Sequence, residues 1–352
     1  MAANIDFTNF TFSAEKIRNI NELIFDQIVK APEITLICTI YPGIVFDKEI
    51  GFIGEGGLVG MKNQGCNPTA QEWLVGTRKV TWQPKSWEIL IDECWTDLES
   101  TAVVYALKNN VDVSDLADTD YDTIIMQVLV PAIKKFIIRL VWFSDTDAEN
   151  VTDGGVITDG VDVDYFNILD GLFKQLLAQV TVNTEQRVAI TENAGATYAA
   201  QKLTPANVRD TYLPELVFGA NPALRSSENA MIVCTQSFYD AYLRSLQGFN
   251  IESTYTNLVS GQKVSTYNGI PIIPMPIWDE MIGAYEDNGA ALNQPHRAIY
   301  VTKDVLAVGV DGEDSFEKMR IWYENKERVN YIELMGKADA KLLNPAMFKI
   351  AI

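Results

Sequence analysis

Hydrophobic positions in the stretch 119–143 recur at steps of three and four. Ile125, Val128, Leu129, Ala132, Ile133, Phe136, Ile137 and Leu140 fall on one stripe, and the period predicts a helix over 119–143. Thr119 or Asp120 would cap its first free N–H groups. At 1.5 Å per residue it forms a rod of roughly 36 Å. Lys134, Lys135 and Arg139 interrupt its second half, so the uncharged run 123–133 is too short to cross a bilayer. Pro131 removes one backbone donor and should bend or split the rod. The pattern predicts a long, soluble, one-sided helix on which other elements are laid.

Ahead of it, residues 1–12 have no clear period and suit an extended arm. Ser13 can cap a helix whose stripe is Ile17, Ile20, Ile24 and Ile28, stopped by Ala31-Pro32. Two strand-like segments, IVFDKEIGFI and EWLVGTRKVTW, flank a loop with Gly54, Gly56, Gly57, Gly60, Gly65 and Pro68. They predict a long hairpin over 44–84 whose flanks lack the one-sided pattern of a buried sheet, and such a hairpin is poorly stable alone. Trp87, Ile89 and Ile91 alternate with polar neighbours as in a half-buried strand, and a short helical stretch covers 98–108.

After the long helix comes an acidic, Gly-rich link, 144–164, with no Lys or Arg until Lys174; a domain boundary is placed there. The pattern then predicts a helix over 165–180 with Phe166, Leu169, Phe173, Leu176 and Leu177 inward, and mixed strand and loop over 182–203. Thr204-Pro205 starts a helical segment that Gly219 and Pro222 end. Residues 230–234 form a strand, and Thr235 caps a helix running to Gln247-Gly248. Tyr267-Asn268-Gly269 turns tightly into IPIIPMPI, whose three prolines speak against a central strand and for an edge or an extended crossing. AIYVTKDVLAVGV, MRIWYE, VNYIELMGKADAKLL and AMFKIAI are four strand-like runs at close spacing. No repeat of 20–50 residues appears, which excludes a solenoid. The order of elements is that of an α+β protein.

Composition narrows the function classes. A chain of 352 residues, 47% hydrophobic and 10% aromatic, buries a sizeable core. A formal charge of −19 argues against a nucleic-acid-binding surface and makes identical copies repel unless specific contacts intervene. Cys38, Cys66, Cys94 and Cys234 are widely spread, without zinc or disulfide spacing. MAANIDFTNF has neither a basic nor an apolar leader segment, so the chain is expected to fold in a reducing cytoplasm with free thiols.

Candidate chemistry is thin. The one histidine, His296, stands beside Pro and Arg and is expected at the surface, and no G-x-S-x-G occurs. Glycines 54–60 miss the dinucleotide and phosphate-loop patterns, and neither Lys62 nor Gly336-Lys337 completes one. Asp145, Asp147, Glu149, Asp153, Asp159, Asp162 and Asp164 resemble a calcium loop only loosely: Asn150 stands where the loop needs Gly and Val156 where it needs an acid. Cys66 has nothing nearby to lower its pKa. No catalytic, cofactor-binding or metal-binding residue is assigned.

The last 120 residues resemble the major capsid proteins of tailed bacteriophages, with the Hong Kong 97-like fold. The likeness lies in AMIVCTQSFYDAYLRSL, YNGIPIIPMP, AIYVTKDVLAVGVDG and MRIWYENKERVNYIELMGKADAKLLNPAMFKIAI taken in order, and the first half agrees as arm, hairpin and spine helix. The resemblance implies an N-terminal arm and helix (1–43), an extended hairpin (44–84) and a peripheral domain (85–150) with the spine helix. It further implies an axial domain (151–310), peripheral return strands (311–340) and a final axial strand (341–352). It implies a non-enzymatic protein that self-assembles into hexamers and pentamers of an icosahedral shell around double-stranded DNA, in the virion, after assembly in the host cytoplasm. Its partners would be further copies of itself, a portal, a separate scaffold and decoration proteins, with no cofactor, no membrane and no sequence-specific DNA contact. Neighbour contacts would come from Gly54, Glu55, Gly56, Gly57 and Lys62 at the hairpin tip and from Phe7, Phe10 and Phe12 in the arm. Lys62 with Asn325, Asn330 or Asn344 has the residue types of the cross-link some members form. An encapsulin-like compartment shell and, from another class, a carboxylate-based hydrolase are the competing expectations.

Overall fold

The computed structural model describes residues 32–56, 75–94, 131–247, 255–257, 263–311, 320–324 and 329–352. The arm, the helix expected from Ser13, the hairpin tip from Gly57 to 74, the stretch 98–108 and the first half of the long helix lie outside the described residues. The first described strands are β1 (Thr39–Tyr41), β2 (Lys48–Gly56), β3 (Val75–Trp82) and β4 (Lys85–Cys94).

The long helix, α1, is α-helical over 131–138 and continues as a π-turn, Arg139–Phe143. Of the expected stripe within the described residues, Ile133, Phe136, Ile137 and Leu140 are buried, whereas Ala132, next to Pro131 at the start of the described helix, is exposed. In the π-turn Leu140, Val141, Trp142 and Phe143 are all buried and Arg139 is half-buried, so this end of the helix is enclosed on most of its sides.

Further elements include α2 (Leu172–Val182), β5 (Arg187–Val188), α3 (Leu213–Phe218), β6 (Ala230–Thr235), α4 (Gln236–Leu246), β7 (Tyr255–Asn257), β8 (Lys263–Tyr267), β9 (Ile270–Met275) and α5 (Pro276–Tyr285). They are followed by β10 (Ala298–Thr302), β11 (Leu306–Val310), β12 (Arg320–Glu324), β13 (Val329–Leu342) and β14 (Phe348–Ala351). Seven strands form one sheet in the order β5-β14-β10-β6-β9-β8-β7. A second sheet has the order β1-β11-β13-β12, with β4 also paired to β13, and β2 pairs with β3 alone.

The seven-stranded sheet is covered on both faces, which is why its central strands read as unbroken apolar runs. Ile299 and Val301 of β10 join the core shared with α1, α2 and α5, while Ala298 and Tyr300 join a second core with α3 and α4. The shared core also takes Val308 of β11 and Leu334 and Ala340 of β13, so it ties the two sheets together. At its centre Trp142, Trp278 and Phe173 meet edge-on or tilted, with ring centroids 4.6–5.2 Å apart, and Phe143 joins Phe173 at 5.1 Å.

Four sequence expectations need correction. AIYVTKDVLAVGV is two strands: the 3-10 turn Lys303–Val305 sends β10 and β11 to different sheets. The helix expected at 165–180 begins at Leu172, although Phe166 and Leu169 are buried as expected. Before it, Asp145 N donates to Phe166 O and Gly171 N to Ser144 O, at 2.8 and 2.7 Å, which holds 166–171 against 144–145. A Cβ on Gly171 would lie 2.8 Å from Ser144 O, so the approach needs glycine. The strand with prolines, β9, lies inside the sheet, parallel to β6. Only Ile270 and Pro271 pair with β8, so the rest of that side has no ladder for a proline to break. Thr235 occupies the N-cap of α4 without a side-chain cap bond. The Asp279 carboxylate of α5 caps it instead, accepting from the N–H groups of Gln236 (2.6 Å) and Ser237 (3.1 Å).

The tight turn is as expected, with Asn268 and Gly269 both at positive φ, 49° and 80°, as a two-residue hairpin turn requires.

Candidate assembly surface

Among the described residues the hairpin is anchored at its base. Its ladder runs from Lys48 opposite Trp82 to Ile53 opposite Thr77, and the register shifts between Ile53 and Gly56. Such a bulge adds twist and re-aims the strand beyond it. Gly54, Glu55 and Gly56 therefore sit at this irregular strand end. Gly57, Lys62, Phe7, Phe10 and Phe12 lie outside the described residues, as does Asn325. Asn344 accepts from Ala346 N at 3.1 Å in the turn before β14.

At the base, Trp82 is fully buried with Ile44, Ala307 and Leu343 in a small cluster of its own. Gly309 on β11 makes room for the indole: a Cβ there would lie 2.8 Å from the ring. Two hydrogen bonds complete the anchor, the backbone bond from Ile44 N to Val310 O at 3.0 Å and the side-chain bond from Lys337 Nζ to Val45 O at 3.1 Å. Gln83 N donates to Asp339 Oδ2 at 2.7 Å, and Lys341 Nζ lies 3.3 Å from the same oxygen. Burial raises the Asp339 carboxyl above the usual carboxylate range, against those two partners.

Large apolar side chains are exposed beside this anchor. Phe46 is 77% exposed with Lys337 Nζ 5.2 Å from its ring centre, and Leu90 on the outer face of β4 is 53% exposed. Trp87 on the other face of β4 is buried, packed on Phe136 at 5.3 Å, as the alternation predicts. Away from the hairpin, Val182 and Phe218 are also exposed.

The catalytic candidates resolve into structural contacts. His296 is buried, contrary to the surface position expected of it. Its Nδ1 lies 2.8 Å from Ser237 Oγ and its Nε2 2.7 Å from Gln201 O, so both ring nitrogens are committed within the protein. The Pro-His-Arg setting conceals this because the partners lie 59 and 95 residues away. Burial lowers its pKa below the ordinary 6.5. As pH falls, the unfolded chain takes up the proton first. The stability His296 supports is therefore present above pH 6.5 and is lost as pH drops through the lower folded value. NMR of this single imidazole should give a titration midpoint below 6.5 in the folded protein, and a midpoint at or above it would contradict the closed environment.

The acidic link is ordered rather than merely solvated. Lys174 Nζ is held by Asp145, Asp147 and Asp170 at 2.6, 2.7 and 2.8 Å, and Asn150 Nδ2 donates to Thr158 O and Val161 O. Lys174 is the first cation after the acidic run, which was the one available sign of this cluster. Cys38 and Cys234 are buried free thiols whose pKa burial pushes up. Among the described residues no helix is long and apolar enough to cross a membrane.

No family model and no curated protein sequence matches the chain. Solved structures do. A chain of the satellite phage P4 procapsid that includes the size determination (Sid) protein aligns with a TM-score of 0.53 at 8% identity, covering 94% of this chain and 98% of that one. Chains from Mycobacterium phage Ogopogo (TM-score 0.47, 10% identity, 92% and 90% covered) and from the holo-SrpI encapsulin complex of Synechococcus elongatus (0.42, 10%, 98% and 92%) align more loosely. In its described residues, the chain has the mixed helix-and-sheet fold of a phage capsid protein, the Hong Kong 97-like kind expected from its sequence.

Proposed function

We propose that the chain is a structural major capsid subunit that assembles into hexamers and pentamers of an icosahedral shell around double-stranded DNA. The observation that carries this is the near-complete alignment with the P4 procapsid chain. The hairpin supports it. Anchored at one end, with strands β2 and β3 paired only to each other among the described residues, it gains most by lying on another subunit. On this reading 44–84 and the arm reach neighbouring subunits, 151–310 with 341–352 forms the axial domain, and 85–150 with 311–340 the peripheral one. The shell would belong to the virion, be assembled in the host cytoplasm, and meet a portal, a separate scaffold and decoration proteins. The negative charge suits a wall that must not grip its packaged DNA.

Electron microscopy with light scattering tests the reading. The intact protein should form closed shells or rings of five and six. A variant with 50–80 replaced by a short Gly-Ser turn should stay folded and fail to close shells. A stable monomer under all assembly conditions would sink the proposal. Shells that enclose an enzyme instead of nucleic acid would favour an encapsulin-like compartment.

A further inference from the structure

Arg139, the first residue of the π-turn in α1, is half-buried with its guanidinium among three aromatic rings. Its central carbon lies 5.5 Å from the ring centre of Phe136, 5.3 Å from Tyr165 and 5.4 Å from Phe166. Phe136 and Phe166 are buried walls at 9% and 1% exposure, while Tyr165 is 57% exposed, so the cage opens on the tyrosine side. The rings hold the planar fork but give it no hydrogen-bond acceptor. Its Nε is buried without one, and its electrostatic neighbours are the phenols of Tyr285 and Tyr165, with no carboxylate among the described residues. Burial pulls its pKa below that of an ordinary arginine, so a counter-charge would relieve the site. A π-turn is a rare local distortion that recurs at functional positions.

We propose that Arg139 and Tyr165 form a receptor for a carboxylate side chain presented by a second copy of this chain. The inference rests on the self-assembly reading above. Charge complementarity selects the occupant: with 47 Asp and Glu against 28 Lys and Arg, every copy offers surplus carboxylates and few cations to receive them. Subunits so charged repel until specific contacts overcome it, and a pre-oriented guanidinium can bind a carboxylate through two parallel N–H···O bonds. The Tyr165 hydroxyl at the mouth offers a further donor.

The test compares wild type, Arg139→Gln and Arg139→Lys in two measurements: melting of the dissociated subunit, and critical assembly concentration by light scattering at graded NaCl. Arg139→Gln should melt as wild type yet need about tenfold or more protein to assemble, the scale of one desolvated charge contact at an interface. Arg139→Lys should recover part of the loss, because a point charge cannot bind in two-pronged fashion. Assembly of Arg139→Gln at the wild-type concentration overturns the proposal. So does a loss of subunit melting temperature that accounts for the assembly defect, since the carboxylate would then come from the same chain. A wild type that never assembles removes the self-assembly reading and this inference with it.

Discussion

Replacing Glu286 by alanine is expected to cost about 3–5 kcal/mol of folding free energy, because it leaves the Arg297 charge buried without its partner. The two side chains form a buried ion pair, at 7% and 4% exposure. Arg297 also gives Nε to Gln294 O and Nη2 to Asn293 O, both at 3.0 Å, and lies 4.6 Å from the Phe173 ring centre. Those contacts hold the guanidinium in place once the carboxylate is gone. The double variant Glu286→Leu with Arg297→Met should recover most of the loss, since apolar groups of similar volume need no partner. Urea denaturation of the purified subunit measures both. A loss below about 1 kcal/mol for Glu286→Ala would mean that Arg297 escapes to solvent and does not hold the core.

The second large effect is local. Trp82→Ala should remove about 3–5 kcal/mol, the usual cost of emptying a large aromatic site. The loss should fall on the hairpin, because Trp82 packs in a cluster separate from the two main cores. Hydrogen exchange of amides in 48–53 and 77–82 should accelerate, while β6, β10 and β14 keep their protection. Equal loss of protection in both regions would show that the hairpin base and the main core open as one unit.

The sequence announced elements whose cause is local and concealed those whose cause is distant. The β2–β3 hairpin, the positive-φ turn at Asn268-Gly269 and the inward stripe of α1 follow from strand-like segments around a Gly-rich loop, turn chemistry and helical period. The delayed start of α2 depends on Gly171 pressing on Ser144, a contact that leaves no periodic trace. Asp279 caps a helix that begins 43 residues earlier, so Thr235 looked like a sufficient cap. AIYVTKDVLAVGV reads as two apolar stretches because β10 and β11 are each buried, and the exposed pair Lys303-Asp304 between them marks the turn that separates the strands. Of the proposed assembly surface, the glycines and Lys62 were visible as composition. Phe46 and the Arg139 cage were not, because only tertiary packing distinguishes an exposed phenylalanine from a buried one, or an enclosed arginine from a solvated one.

The place of β14 sets a timetable for the ribosome. That strand lies between β5 and β10, pairing with 187–188 on one side and 298–301 on the other. At 5–20 residues per second, the stretch from Thr302 to Ala351 takes about 3–10 s to be made. During that interval the nascent chain carries β10 with the N–H and C=O groups of one edge unpaired, long enough to meet the same edge on a chain from the next ribosome. Heavy polysome loading should therefore favour aggregation over folding, and early binding by a holding chaperone should raise the yield of soluble subunit.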